Sequence, residues 1–153
     1  PPRKKLNILI LGGTSLIGPH LVAYALGRGH SVSTFTRGKS KPTVHADVFD
    51  QVEMLIGDRN DDLEALKGRK WDAVIDICAY LPRQVRSLLG ALEGQPHYTL
   101  ISSVSAHGDL SEPGYSETSP LSILKPSSLI GNCMGLSKRV ASWSRASWRL
   151  NAA

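Results

Sequence analysis

Residues 6–37 read LNILILGGTSLIGPHLVAYALGRGHSVSTFTR, and this stretch decides the fold. The segment before Gly12-Gly13 is a short apolar run, which is typical of a strand buried on both faces of a parallel sheet. Val32 and Phe35 belong to a second strand of alternating pattern. A helical segment lies between the two strands. The stretch therefore predicts a βαβ unit: a strand, a glycine turn, a helix and a second strand.

The helix of this unit has its own start and stop signals. Ser15 can cap a helix, and Pro19 is tolerated in a first helical turn. Apolar residues then recur at helical spacing. The helix is therefore predicted to begin near Ser15 or Leu16 and to end at Gly27 or Gly29.

Three glycines lie in and around the turn before this helix. Gly12 permits a tight turn, Gly13 lets the backbone pass without a Cβ atom, and Gly18 lets the helix pack close to the strand. Glycines at this place lie where a helix N-terminus receives a pyrophosphate. The pattern favours dinucleotide binding, and a plain structural turn stays open as the alternative.

The rest of the chain alternates between strand and helix patterns. The predicted elements are strands at 53–56, 73–78 and 98–101, a short helix capped by Asp61 or Asp62, a helix opened by Pro82 and closed by Gly94, and a last helix around Leu136, Val140 and Trp143. This alternation predicts an α/β fold with a doubly wound parallel sheet of about five strands and ligands at the strands' carboxyl ends. The predicted core contains Ile8, Ile10, Val32, Val74, Ile75 and Ile77.

Composition is that of an ordinary globular protein. The chain has 153 residues, of which 41% are hydrophobic and 20% charged. No apolar run approaches the roughly 18 residues of a membrane span. We expect one cytoplasmic domain, with an export signal removed before residue 1 left open. Cys78 and Cys133 are too few for a disulfide framework or a zinc site, so we interpret both as buried thiols and expect no metal.

The net charge of +5 comes from the C-terminal part of the chain. All 13 acidic residues lie at or before Glu117. The basic residues that follow are Lys125, Lys138, Arg139, Arg145 and Arg149. Such a tail can bind nucleic acid, but it is also typical of the solvated face of a last helix, and we do not expect nucleic acid as the main partner.

Five segments, taken in order, carry a family resemblance. They read GGTSLIGPHLV, GHSVSTFTRG, IGDR, WDAVIDICAY and LISSVSAHG. Together they resemble the NAD-dependent epimerase/dehydratase family, the extended and atypical short-chain dehydrogenases/reductases, over residues 6–138. The resemblance implies a Rossmann dinucleotide-binding domain at 1–132 and a C-terminal helix with a basic tail at 133–153. It also implies a chain that is truncated relative to the family and lacks the substrate domain.

The resemblance implies the cofactor contacts as well. The family's glycine motif maps onto Gly12, Ser15 and Gly18, with Ser15 in place of the middle glycine. The family's adenine-contacting acid maps onto Asp58, for which a turn or cap role is the alternative. The expected cofactor residues are Gly12, Gly13, Thr14, Ser15, Leu16, Ile17, Gly18, Arg37, Asp58, Arg59, Cys78, Ala79 and Lys138.

The family's catalytic triad of Ser or Thr, Tyr and Lys maps less completely. Ser103 takes the serine position and Lys138 the lysine position, but Met134 stands where the family has tyrosine. Because methionine has no proton to give, the resemblance implies a chain that binds its cofactor but turns over weakly or not at all. Tyr98 and Tyr115 are the candidates for a substitute acid.

The cofactor is expected to be NADP rather than NAD. NAD-specific folds place an acid about 20 residues beyond the glycines. Here the second strand ends in Arg37, and no acid appears before Asp47. A guanidinium at Arg37 would bind a 2′-phosphate, and an ordinary solvated arginine is the alternative.

Three functions stay open. The first is an oxidoreductase or epimerase that acts on a sugar nucleotide or a simple carbonyl substrate. The second is a non-catalytic nucleotide-binding sensor or interaction module, and the third is RNA binding. The sheet edge left open by the missing strand also predicts a homo-oligomer.

Overall fold

The computed structural model describes residues 4–79, 81–102, 114, 116, 118 and 119. The chain divides into two compact units, one formed by Pro1–Cys78 with Arg86–Ile101 and the other by Ala79–Val85 with Ser102–Ala153. The first unit holds the sheet. None of the helices in the described ranges has the length and the apolar character that crossing a membrane requires.

Five strands alternate with two α-helices and two short 3₁₀ helices along the described chain. In order, the strands and α-helices are β1 (Asn7–Leu11), α1 (Gly18–Gly27), β2 (Ser31–Thr36), β3 (Glu53–Ile56), β4 (Ala73–Asp76), α2 (Pro82–Ala91) and β5 (His97–Leu100). Two short 3₁₀ helices, Ala46–Gln51 and Glu64–Leu66, lie on either side of β3 in the sequence. The predicted α/β fold with five strands is confirmed, and β3 has the predicted bounds.

The five strands form one parallel sheet in the order β3-β2-β1-β4-β5. At its centre, Ile10 of β1 pairs with Thr34 of β2 on one side and with Ile75 of β4 on the other. The sheet therefore extends from β1 in both directions, first through β2 and β3 on one side and then through β4 and β5 on the other. The topological switch point lies between β1 and β4. Open sheets of this kind bind ligands beyond the carboxyl ends of the strands at that point.

The core has one layer on each face of the sheet. One layer contains the buried side chains of Leu9, Leu11, Phe35, Leu55, Leu66, Trp71, Val74, Leu88 and Leu92. The other contains Ile8, Ile10, Val22, Ala25, Val32, Phe49 and Val52. Successive side chains of a strand point to opposite faces. A strand that is covered on both faces must therefore be apolar almost throughout, as β1 is.

Two predicted core residues are less buried than expected. Ile75 and Ile77 are only partly buried, whereas the other members of the predicted core are buried. Both lie on the face of the sheet that carries α1. Because α1 packs over β2 and Ala46–Gln51, the described residues cover β4 incompletely on this face.

The start of α1 differs from the expectation. The helix begins at Gly18 and has no side-chain cap, so the predicted start at Ser15 or Leu16 is wrong. Leu16 has a φ of 52°, a left-handed conformation that interrupts helical geometry before Gly18. Pro19 lies in the first turn, as predicted, and the helix ends at the first of the two predicted glycines.

Side chains also shape two other element ends. β4 stops at Asp76 rather than Cys78, because Oδ1 of Asp76 accepts a hydrogen bond from the Cys78 N–H at 3.1 Å and turns the chain. The predicted short helix after β3 is a single 3₁₀ turn at Glu64–Leu66. The cap residue of this turn is Leu63, with no side-chain cap hydrogen bond, so the predicted cap at Asp61 or Asp62 is wrong. Oδ1 of Asp62 nevertheless accepts a hydrogen bond from the Glu64 N–H at 3.2 Å.

Candidate functional site

The candidate site lies at the carboxyl edge of the sheet. β1 leads into the glycine turn (residues 12–18), β2 into Arg37, β3 into Asp58-Arg59 and β4 into Cys78. Parallel strands place their carboxyl ends along one edge. The fold therefore brings these segments, which are far apart in sequence, to a common edge beside the switch point.

The glycine turn is packed too closely to accept side chains at its glycine positions. A Cβ atom on Gly18 would lie 2.4 Å from the carbonyl oxygen of Gly12 and 2.6 Å from the carbonyl carbon of Gly13. A Cβ on Gly13 would lie 2.7 Å from Cγ2 of Thr34. Gly12 itself has a φ of 85°, which L side chains rarely adopt. The turn therefore needs glycine at these positions whether or not a ligand binds.

The outer part of the turn presents hydrogen-bond donors. Ser15, Leu16 and Ile17 are exposed, Leu16 to 84%. Among the described residues, the backbone N–H groups of Leu16 and Ile17 have no acceptor, and α1 has no side-chain cap. A helix N-terminus carries a partial positive charge. This end of α1 therefore offers unpaired donors and a positive potential to an anion.

The 38–45 loop after β2 is tied to the turn and to α1. Thr14 is buried, and its Oγ1 lies 3.0 Å from Oγ of Ser40. Nε2 of His45 lies 3.0 Å from Nδ1 of His20 in α1. The partners are separated by 26 and 25 residues, so no local sequence pattern could reveal these contacts.

In the ranges that the structure describes, no group of three or more His, Cys, Asp or Glu side chains could hold a metal ion.

Asp58 forms a closed turn and lies near two basic residues. Its Oδ1 accepts hydrogen bonds from the backbone N–H and the side-chain amide of Asn60, both at 2.9 Å. These bonds, with a smaller contribution from the charges of Arg37 and Lys39, hold the pKa of Asp58 below its usual range. Asp58 is therefore a carboxylate at neutral pH. Its alternative role as a turn residue is observed, and its contact with adenine stays a prediction.

Behind these segments lies a buried ion-pair cluster formed by Arg59, Asp76, Cys78 and Tyr98. Arg59 donates to both carboxylate oxygens of Asp76, from Nη1 to Oδ1 at 2.9 Å and from Nη2 to Oδ2 at 2.8 Å. The Tyr98 hydroxyl donates to Oδ2 of Asp76 at 2.8 Å. Nη1 of Arg59 also lies 3.2 Å from Sγ of Cys78. Arg59 is only 9% exposed, and Asp76 is fully buried.

Burial and the Asp76 carboxylate set the protonation states in this cluster. Burial, and then the negative charge of Asp76, raise the pKa of Cys78 and of Tyr98, while Arg59 opposes both shifts. Burial acts to lower the pKa of Arg59, but its hydrogen bonds to Asp76 and the charge of Asp76 raise that pKa overall. At neutral pH Arg59 is therefore charged, and the thiol of Cys78 and the phenol of Tyr98 are neutral.

The cluster changes the interpretation of two predicted site residues. Both terminal nitrogens of Arg59 bind Asp76, so its expected cofactor contact stays a prediction. Cys78, interpreted as a buried thiol, is only partly buried because it follows β4 beside Gly12, which has no side chain to cover it. Sequence reasoning missed the cluster itself. The available signal was Asp76 within an apolar strand, since a buried carboxylate needs a partner.

Other predicted residues cannot be placed at this site. Ser103, Tyr115, Cys133, Met134 and Lys138 lie outside the described residues, as do the predicted last helix and the 133–153 tail. Ala79 is described and buried, and it belongs to the second compact unit.

Comparisons with known proteins identify a family and a curated relative. The model of the NAD dependent epimerase/dehydratase family matches residues 8–93, more than half of the chain. The chloroplast stem-loop binding protein of 41 kDa b from Arabidopsis thaliana is 34% identical over 113 residues. That alignment covers 66% of this chain and 30% of the Arabidopsis protein.

Solved structures share the fold. A UDP-glucose-4-epimerase from Stenotrophomonas maltophila, with bound NAD and formylated UDP-arabinopyranose, has a TM-score of 0.73 and 20% identity over 97% of this chain and 50% of its own. An epimerase from Methanothermobacter thermautotrophicus has a TM-score of 0.75 and 18% identity over 97% of this chain and 48% of its own. The chain thus spans about half the length of these two structures.

Replacing Gly18 by alanine tests the packing of the glycine turn. The new Cβ would lie 2.4 Å from the Gly12 carbonyl oxygen. Because the obstacle is backbone, we expect the free energy of unfolding to fall by about 1–3 kcal/mol or more. Urea unfolding followed by circular dichroism measures this change.

Gly27→Ala is the matched control, because a Cβ there meets no atom within 4 Å. Helix propensity predicts that this control is as stable as the unmodified chain or gains up to about 1 kcal/mol. If Gly18→Ala were as stable as Gly27→Ala, the packing described for the turn would be wrong.

Proposed function

Because the chain belongs to the NAD dependent epimerase/dehydratase family, we propose that it binds a nicotinamide dinucleotide, NADP in preference to NAD, at the carboxyl edge of its sheet. The observation that carries the proposal is the exposed glycine turn, where the N–H groups of Leu16 and Ile17 have no acceptor among the described residues. A pyrophosphate would accept hydrogen bonds from these groups and would lie at the positive end of α1.

The backbone of Leu16 supports the same assignment. Its φ of 52° is uncommon for a bulky side chain and costs conformational energy. This strained conformation leaves the side chain 84% exposed, so no core packing rewards it. Strained residues cluster at ligand-binding turns, where binding to the exposed backbone offsets the cost.

The adenosine half of the cofactor would lie along the ends of β2 and β3. Both bonds from Asn60 go to Oδ1 of Asp58, so Oδ2 can accept a hydrogen bond from the adenine amino group. Arg37 and Lys39 are exposed, and their charges act on Asp58. Two cations next to this carboxylate favour the 2′-phosphate of NADP through charge-assisted hydrogen bonds.

The substrate would be a sugar nucleotide or a simple carbonyl compound. The Stenotrophomonas epimerase was solved with NAD and a UDP-linked sugar, which supports this class of substrate for a chain of the same fold. The preference for NADP rests on Arg37 and Lys39.

The edges of the described sheet are β3 and β5, and pairing of an uncovered edge with a second copy would give a homo-oligomer.

Turnover by the chain itself is proposed to be weak or absent. The nicotinamide, when bound, supplies hydride transfer. Lys138 would orient the ribose and Ser103 would hydrogen-bond a carbonyl oxygen, but Met134 occupies the position of the family's proton donor. Tyr98, a candidate substitute, donates its hydroxyl to Asp76 and has a raised pKa because of burial and that carboxylate, so it is a poor acid. A non-catalytic sensor or interaction module is then the alternative role of the same binding site.

A second candidate function is nucleic-acid binding. It is favoured by the name of the Arabidopsis relative, a stem-loop binding protein, and by the basic residues that follow Glu117 in the sequence. Contacts from such a tail to phosphates would weaken steeply with added salt. Fluorescence anisotropy of a labelled RNA stem-loop at low and high salt, with and without NADP, separates this function from dinucleotide binding.

The cofactor preference predicts the effect of Arg37→Ala. Loss of a charge-assisted hydrogen bond to the 2′-phosphate should weaken NADP binding about tenfold and leave NAD binding unchanged. Isothermal titration calorimetry with both dinucleotides measures the ratio. Arg28→Ala is the control, because Arg28 is an exposed arginine at the opposite end of α1. If the NADP to NAD ratio stays at its original value in Arg37→Ala, Arg37 does not select the cofactor.

The missing proton donor predicts a gain of activity in Met134→Tyr. General acid catalysis contributes about 10²–10⁴ in rate, so the variant should reduce carbonyl compounds or interconvert sugar nucleotides about 10² times faster with NADPH. Met54→Tyr is the control, since Met54 is the other methionine of the chain and is 42% exposed on β3. Rapid turnover by the unmodified chain would refute the proposal that Met134 limits catalysis.

A further inference from the structure

The buried ion-pair cluster joins parts of the sheet that are not neighbours. Arg59 follows β3, whereas Asp76 ends β4 and Tyr98 lies in β5. Two strands, β2 and β1, lie between β3 and β4 in the sheet. The Arg59 side chain therefore connects the segment after β3 to the far half of the sheet, through two hydrogen bonds of 2.8 and 2.9 Å.

The segment that carries Arg59 is a compact turn, which we call the Asp58 turn (residues 57–62). Hydrogen bonds between Asp58 and Asp62 close it, N–H to O in both directions, at 2.9 and 2.7 Å. At the base of the turn, a Cβ atom on Gly57 would lie 2.7 Å from the Phe35 ring, so the backbone there packs closely against β2. Because these hydrogen bonds close the turn on itself, the contact that Arg59 makes with Asp76 also constrains where Asp58 lies.

The same cluster also touches the base of the glycine turn. Nη1 of Arg59 lies 3.2 Å from Sγ of Cys78. That sulfur lies 3.3 Å from the position a Cβ on Gly12 would occupy. The Asp58 turn and the glycine turn are thus linked through Arg59 and Cys78 as well as through the strands.

Stability alone does not explain this arrangement. Replacing a buried ion pair by apolar side chains is often neutral or stabilising, because burying two charges is costly. Nε of Arg59 is moreover buried with no hydrogen-bond partner among the described residues, which adds to the cost. What the pair provides is a bidentate contact of defined direction between two rigid groups.

We propose that Arg59, Asp76 and Tyr98 are positioning residues that hold Asp58 at a fixed place relative to the glycine turn and thereby make the site selective for adenine nucleotides. The inference rests on the proposed dinucleotide function and deepens it. Asp58 can discriminate adenine only if its carboxylate lies at hydrogen-bond distance from the base while the diphosphate occupies the glycine turn. Arg59 sets that distance through its two hydrogen bonds to Asp76.

The test compares the affinities for ADP and inosine diphosphate (IDP). The two differ in that adenine presents an amino donor where hypoxanthine presents a carbonyl, which a carboxylate at Asp58 would repel. We expect the unmodified chain to bind ADP about tenfold more tightly than IDP, as the loss of a hydrogen bond to a charged group implies. Isothermal titration calorimetry measures both affinities.

The double variant Arg59→Met/Asp76→Asn removes the ion pair and keeps its neighbours satisfied. The asparagine oxygen can still accept from the Cys78 N–H, and its amide can donate to the Tyr98 hydroxyl. We expect the ADP to IDP preference to fall from tenfold to less than threefold, with IDP affinity unchanged. The control variant Arg69→Met/Glu53→Gln makes the same charge changes in an exposed ion pair at the start of β3, and it should keep the preference.

Each outcome shows whether or not the ion-pair cluster positions Asp58 for adenine. A double variant that folds, as urea unfolding shows, and keeps the tenfold preference overturns the inference. If the double variant does not fold, Arg59→Lys serves instead, because a lysine keeps the charge beside Asp76 but cannot make the two-point contact. An unchanged preference in Arg59→Lys overturns the inference equally. An unmodified chain that binds ADP and IDP with equal affinity refutes the inference but leaves dinucleotide binding intact, whereas one that binds neither refutes the proposed function as well.

Discussion

The backbone of Gly18 approaches the carbonyl group of Gly12 so closely that a Cβ atom would not fit between them, and the packing of the sheet and of α1 follows from this approach. With no Cβ at Gly18, the first turn of α1 can approach the end of β1 to a distance that any side chain would prevent. This approach places α1 against the face of the sheet that holds Ile8, Ile10 and Val32. It also fixes the N-terminal end of α1 beside the switch point, so one packing requirement shapes both the core and the proposed anion site.

The charged and polar groups of the candidate site lie in two layers, one exposed and one buried. The N–H groups of residues 16 and 17, which have no acceptor in the part of the chain that the structure describes, lie on the surface with the exposed cations Arg37 and Lys39. An anionic ligand can reach these groups there. The charges of Arg59 and Asp76 are instead buried and neutralise each other. A charge pair of this kind adds little to ligand attraction, but it holds the segments that carry the surface groups. The first layer would provide affinity for a dinucleotide, and the second would provide the geometry that selects among nucleotides.

Local patterns in the sequence were enough to predict most of the fold. The apolar run of β1, the glycine turn and the alternation of strands and helices gave the parallel sheet, because each depends on residues close together in the chain. The predicted start of α1 is wrong because Leu16 adopts a left-handed conformation that its residue type does not favour. The prediction places Ile75 and Ile77 in the core because the apolar pattern of their segment indicates a buried strand. That pattern does not indicate how much of the strand α1 covers.

The candidate site was predicted less completely, for a related reason. Gly12, Gly18, Arg37 and Asp58 could be placed because strand ends are visible in sequence and meet at one edge. The Arg59–Asp76 pair joins residues 17 apart, and the Thr14–Ser40 contact joins residues 26 apart. Such pairs depend on the final arrangement of strands, which a single sequence does not reveal.

Nuclear magnetic resonance can show whether a nicotinamide dinucleotide binds across the glycine turn. Titration of NADP into isotopically labelled protein would report on each backbone amide separately. We expect saturable shifts that are largest for the amides of Leu16 and Ile17, with further shifts at Arg37 and Asp58. If the Leu16 and Ile17 amides show no saturable shift, or if the shifts are confined to residues away from the carboxyl edge of the sheet, the dinucleotide does not bind across the glycine turn.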